Sequence, residues 1–211
     1  MFPGLTFRAA KTCALALTLI LTACVSQTGR QTIQGNFGGV ASSAEGQDLR
    51  ALPAYTHYEV CQAYLFTQQL SRVDECMQHL WARAASDEFS HGSVGRFSPD
   101  MVMTLLHNIE AKKYLELGDV TAAEKHAAKA LQFARRNPRF YMNEFLNAYT
   151  TLFTLGLNNP NAEGGIRAEE DRRYASIEPL GLMAMVNILK GDAQAAVRYQ
   201  KELRGIYDAA D

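Results

Sequence analysis

The chain has 211 residues, 47% of them hydrophobic and 20% charged, with 15 Gly and 6 Pro, proportions that argue against a wholly disordered, fibrous or low-complexity chain. Twenty-one Lys and Arg against 22 Asp and Glu leave a net charge of −1, whereas a protein held mainly on nucleic-acid phosphates carries a strongly basic surface. Four Cys in a chain of this length do not make a disulfide-built miniprotein.

Residues 1–24 read MFPGLTFRAAKTCALALTLILTAC, with Arg8 and Lys11 before an apolar run at 13–21 and small residues after it. A basic start, a short apolar centre and a small-residue end are the three parts of a secretory signal. The run is about half of the ~20 apolar residues that a spanning helix needs. Leu21-Thr22-Ala23-Cys24 resembles the lipobox of bacterial lipoproteins. The resemblance implies that residues 1–23 are a cleaved signal peptide and that Cys24 becomes an acylated, membrane-held N-terminus. Several chains on one Cys give a stable anchor, since each buried CH₂ adds ~0.8 kcal/mol. In enterobacterial lipoproteins an Asp directly after the Cys favours inner-membrane retention. Val25 and Ser26 stand there instead, which implies the outer membrane, facing the periplasm. Cleavage removes Arg8 and Lys11 and no acid, so the net charge moves from −1 to about −3.

Residues 24–52 are rich in Gly, Ser, Gln, Thr and Asn and hold no helical or strand period, which predicts a flexible tether. Its random-coil span is about 30 Å. From Pro53 the spacing is helical almost throughout, and the fold class expected is all-α. The expected helices are 54–70 and 72–86 as a first pair, 99–117 and 120–136 as a second, then 139–157. A loop at 158–165, a charged helix at 166–176 and a last pair at 179–190 and 192–208 follow.

Two of the pairs share a pattern. The second reads Ala111-x-x-Tyr114-Leu115-x-Leu117-Gly118-Asp119-x-x-x-Ala123-x-x-x-Ala127-x-x-Ala130-Leu131. The last carries Ala184, Asn187, Leu189, Gly191, Asp192, Ala196, Gln200 and Leu203 in the same frame. Small residues allow two antiparallel helices to approach closely, Gly ends the first helix and Asp caps the second. The first pair, read as Tyr64, Thr67, Ser71, Cys76 and Leu80, keeps the frame without the Gly. This resembles the tetratricopeptide repeat family, a solenoid of stacked antiparallel helix pairs. The turns at Ser71, Gly118 and Gly191 do not fall at multiples of the usual ~34 residues, so a short and irregular stack over 53–211 is expected. The resemblance implies a concave groove lined by the first helix of each pair. In the second unit that face is Asn108, Lys112, Leu115 and Glu116; in the first it is Tyr58, Cys61, Leu65 and Gln68. Such a mixture suits an extended peptide or a partner helix. The alternative is that these faces pack on neighbouring helices in a closed stack.

No G-x-S-x-G, H-E-x-x-H or Walker A motif occurs, and neither catalysis nor a cofactor is expected. Cys61 and Cys76 fall on the two helices of the first pair. They either form a disulfide, worth ~3 kcal/mol for a loop of this size, or lie as two buried thiols. A third reading joins His57, four before Cys61, with His79, three after Cys76, as a Cys₂His₂ metal set, although this spacing is not a standard zinc signature. His91, His107 and His126 show no evident partners. Arg135, Arg136 and Arg139, and Arg167, Arg172 and Arg173 among Glu163, Glu169, Glu170 and Asp171, read as solvated surface with local ion pairs.

Together the resemblances imply a membrane-anchored, non-catalytic scaffold that binds another cell-envelope protein, in secretion, pilus or cell-wall complex assembly. The alternative is an envelope ligand- or metal-binding lipoprotein using His57, Cys61, Cys76 and His79.

Overall fold

Apolar residues at helical spacing fold as the pattern requires, and in the computed structural model the described residues 27–91, 95–142 and 166–209 are mostly helical. Cys24, the leader and residues 143–165 lie outside the described residues, and with them most of the helix expected at 139–157 and the whole 158–165 loop. The helices are α1 (Gln27–Ile33), α2 (Phe37–Ser43), α3 (Ala54–Phe66), α4 (Leu70–Ala85), α5 (Pro99–Glu116), α6 (Val120–Ala134), α7 (Ile166–Leu189) and α8 (Ala193–Asp208).

Three helix pairs, α3–α4, α5–α6 and α7–α8, are joined by the same turn. Gln68, Gly118 and Gly191 have φ of 57°, 74° and 76°. In each turn the next residue donates its N–H to the carbonyl five residues back: Gln69 to Tyr64 at 2.8 Å, Asp119 to Tyr114 at 2.9 Å, Asp192 to Asn187 at 2.9 Å. Gln68, Gly118 and Gly191 themselves each donate to the carbonyl three back, at 3.0 Å. This double hydrogen bond closes the orphan carbonyls of the first helix with one residue in the left-handed region. Asp119 and Asp192 then cap α6 and α8, their side chains accepting from the N–H of Ala122 and Ala195 at 2.9 Å.

These turns set the true register and correct the first pair. Its turn is at Gln68, not Ser71, because a glutamine occupies the position that favours glycine. Counting from the turns, Cys61 holds the place of Ala111 and Ala184, and Val73 that of Ala123 and Ala196. Ala111, Ala123, Ala127, Ala130 and Ala134 are all fully buried where α5 and α6 cross. The helices pack in chain order from α2 to α8, and the first helices of successive pairs also touch, α3 on α5 and α5 on α7. One core gathers Val40, Tyr58, Val60, Val73, Met77, Leu80, Leu106 and Ile109; a second gathers Ala111, Ala127, Leu131, Leu180 and Met183.

Three further expectations are corrected. Much of the stretch read as tether is folded: Asn36 caps α2 by accepting from the Gly39 N–H at 3.0 Å, and Val40, Ala41 and Ala44 are buried in the first core. Phe37 stacks on Phe66 at 4.3 Å between centroids. Seven-residue helices are too short to display a period in the sequence, yet one buried Val contributes about 1.5–3 kcal/mol. The chain at Phe140–Met142 is extended rather than helical, pairing antiparallel with Gly95–Phe97. Finally, 166–189 is one helix with Pro179 inside it. A proline removes one hydrogen bond to the preceding turn, and burial of Leu180, Met183 and Val186 just beyond it holds the helix together.

Candidate functional site

The turn register places His57 and Cys61 one turn apart on α3, facing Cys76 and His79 on α4. Cys61 and Cys76 are joined by a disulfide with Cα atoms 5.7 Å apart, and both are fully buried. His57 is also fully buried, and its ligand nitrogen lies within 4.8 Å of both sulfurs. Its Nδ1 is 3.2 Å from Arg83 Nη1. A guanidinium only donates, so Nδ1 accepts and the ring proton sits on Nε2. Nε2 has no hydrogen-bond partner, and neither does the buried Nδ1 of His79, whose ring centroid is 6.2 Å from that of His57. Arg83 also donates from Nε to Glu88 at 2.6 Å. Burial first, and the Arg83 charge second, hold the His57 imidazole down to about 4.

Cys76 and His79 border a cavity of ≈ 240 Å³ whose other wall is the 44–50 loop. Glu45, Asp48 and Glu75 line it against Arg50 and Arg72, which pair with Asp48 and Glu45 at 3.1 and 3.7 Å.

The second pair carries a matching arrangement that sequence reasoning missed. His107 of α5 and His126 of α6 have Nδ1 atoms 3.0 Å apart. They hold the positions of His57 and Cys76, the same number of residues apart, and that repeated separation was the available signal. Trp81 sits edge-on to His107 at 5.1 Å and donates from Nε1 to Glu110 at 3.2 Å, while Tyr114 stacks on His126 at 5.3 Å. Lys113 is ion-paired to Glu110 at 2.6 Å and to Asp74 at 3.1 Å. On α3, Glu59 is 4% exposed with Oε2 unpartnered, and burial raises its carboxyl to about 7.

The groove expected on the first helices is not an open channel. Tyr58, Leu65 and Asn108 are 3%, 4% and 1% exposed. Tyr58 accepts at its hydroxyl from Gln62 at 2.6 Å. Asn108 Nδ2 donates to Glu178 of α7 at 2.8 Å, and Lys112 is ion-paired to the same carboxylate and lies 5.0 Å above the Phe66 ring. Glu178 therefore closes the face. It escaped sequence reasoning because it stands just before Pro179, where a break between two helices was expected. Leu115 is half-buried against the second core, and Gln68 and Glu116 are exposed at the turns. Arg135 and Arg136 are ion-paired, with Glu202 at 2.6 Å and Asp100 at 3.6 Å, and Arg139 is buried.

Beside Glu116, the residues left exposed at the turn ends of these helices include a set of large apolar side chains. Phe66, Leu117, Met185, Ile188 and Leu189 are 51–57% exposed and gather at the turn ends of α3, α5 and α7. Phe66 and Leu189 stand at equivalent places, two residues before Gln68 and Gly191.

Comparison of the chain with protein-family models, with curated proteins and with solved structures gives no match. No described helix is long and apolar enough to cross a membrane.

Proposed function

We propose that the chain is a lipid-anchored, non-catalytic scaffold of the cell envelope, held at the membrane through Cys24, whose tetratricopeptide-like pairs bind another envelope protein. The observation that carries the reading is the repeated unit itself. One turn geometry recurs three times, and in the first and last units the first helix ends on an exposed apolar residue, Phe66 and Leu189. Met185, Ile188 and Leu189 make the turn end of α7 apolar and exposed, while Leu182, Met183, Ala184 and Val186 beside them are buried. An apolar segment of a partner protein, laid along the turn ends, would cover it.

The lipobox at Leu21-Thr22-Ala23-Cys24 supports the anchor, and Val25-Ser26 supports the outer membrane. Confinement to a surface raises the effective concentration of a partner that is itself in the envelope. That serves assembly of a secretion, pilus or cell-wall complex without any chemistry by this chain. Affinity capture from crosslinked cells tests the reading. Wild type should retain a discrete envelope protein that the Met185→Glu/Ile188→Glu variant loses while melting at the same temperature. Capture unchanged by those substitutions would place binding elsewhere.

A further inference from the structure

We propose that reduction of the Cys61–Cys76 disulfide converts this place in the α3–α4 pair into a Cys₂His₂ site for a thiophilic divalent cation of the zinc class, with His57 and His79 as the nitrogen ligands. The inference stands on the buried cluster alone and does not depend on what the apolar edge binds.

Three donors of the type that zinc takes lie together here, and a fourth, His79, stands one turn beyond Cys76 on α4. His57, Cys61 and Cys76 are fully buried with ligand atoms within 4.8 Å of one another. The two histidine nitrogens without partners, Nε2 of His57 and Nδ1 of His79, are the independent observation. Buried polar atoms are nearly always paired, so two orphans on rings 6.2 Å apart, beside the same disulfide, mark groups that a ligand would satisfy. With metal–sulfur bonds of about 2.3 Å at a tetrahedral angle, the sulfurs separate to about 3.8 Å. Cα atoms 5.7 Å apart on neighbouring helices allow that by side-chain rotation. The ≈ 240 Å³ cavity reaches Cys76 and His79, giving reductant and ion a way in past three carboxylates.

The steps balance. A dithiol of the envelope gives two electrons and two protons to the disulfide, leaving as its own disulfide and producing two thiols on Cys61 and Cys76. The cation then binds the two sulfurs and two imidazoles, and the two thiol protons are released to solvent. Ligation by His57 Nε2 moves the ring proton to Nδ1, where Arg83 now donates. The guanidinium gives up that contact and keeps its bond to Glu88. Arg83 therefore opposes the metal, and replacing it with a side chain that can accept from Nδ1–H favours binding.

The test uses the full chain in detergent, reduced with a phosphine, which takes up oxygen from water, and exchanged without air into cobalt(II). Expected is one cobalt per chain with the visible absorption of a tetrahedral thiolate site, displaced by zinc, and none in the oxidised chain. Affinity falls about tenfold or more in His79→Gln, a half-buried position that tolerates the change, and rises severalfold in Arg83→Gln. A reduced chain that takes up no cobalt, whether folded or unfolded, overturns the proposal. So does affinity unchanged in both His57→Gln and His79→Gln.

Discussion

His107 and His126 face each other across α5 and α6 with their Nδ1 atoms 3.0 Å apart. One nitrogen must donate and the other accept, so the contact exists only while at least one ring is neutral. Burial, then the His126 charge, then that of Lys129 hold His107 down to about 4, with Glu110 acting in the opposite sense. His126 is lowered too, by burial first. Lys113 is tied to Glu110 and Asp74, and Trp81, Tyr114 and Phe133 complete the surroundings.

That geometry fixes the sign of an acid dependence. Between pH 6.5 and about 4 the unfolded chain takes up a proton at His107 and the folded chain does not. Stability therefore falls as pH drops through this window, by at most ~1.4 kcal/mol per unit for one group. Denaturant titrations at pH 7, 5.5 and 4.5 should show a shallower fall for His107→Gln than for wild type. Parallel curves would show that His107 does not drive the acid dependence.

Glu59 acts in the opposite direction. Its folded carboxyl stays protonated up to about 7, whereas the unfolded one ionises near 4.5. The unfolded chain sheds the proton first, so this group costs stability as pH rises from 4.5 to 7. Glu59→Gln should raise stability by about 1–3 kcal/mol at pH 8 and change little at pH 4.5. Equal effects at both values would show that the carboxyl does not titrate in this window.

The turns predict a pair of opposite substitutions. Gln68 at φ 57° carries a left-handed strain that glycine relieves, so Gln68→Gly should stabilise by about 0.5–1 kcal/mol. Gly118→Ala meets no atom within 4 Å, yet it should destabilise by about 1 kcal/mol because of its φ of 74° alone. Thermal melts of both variants check this, and matching signs would refute the shared turn.

Much of the helical frame was legible because Gly118-Asp119 and Gly191-Asp192 announce the turn and cap in residue type. The first unit was legible only to within three residues, since Gln68 and Gln69 perform the same backbone task without the signature. The folded stretch around Val40 was hidden for a different reason: its stability comes from contacts with α3, and a seven-residue helix carries no period. The cysteine and histidine cluster could be read from spacing, four residues on one helix and three on the next. Glu178 could not, because its meeting with Lys112 depends on a helix continuing through Pro179.

That contact gives a coupling test of how the groove face is closed. Lys112→Glu places two carboxylates together and should cost about 1–2 kcal/mol, and adding Glu178→Lys should recover most of it. Additive losses in the double variant would mean that the two side chains do not meet.

The proposed anchoring of the scaffold through an acylated Cys24 is open to metabolic labelling with a fatty-acid analogue. Wild type should incorporate label and sediment with outer membranes. Cys24→Ala should take up none and either keep its leader or appear soluble in the periplasm. Normal labelling of Cys24→Ala, or an unlabelled wild-type chain, would show that Cys24 is not the anchor.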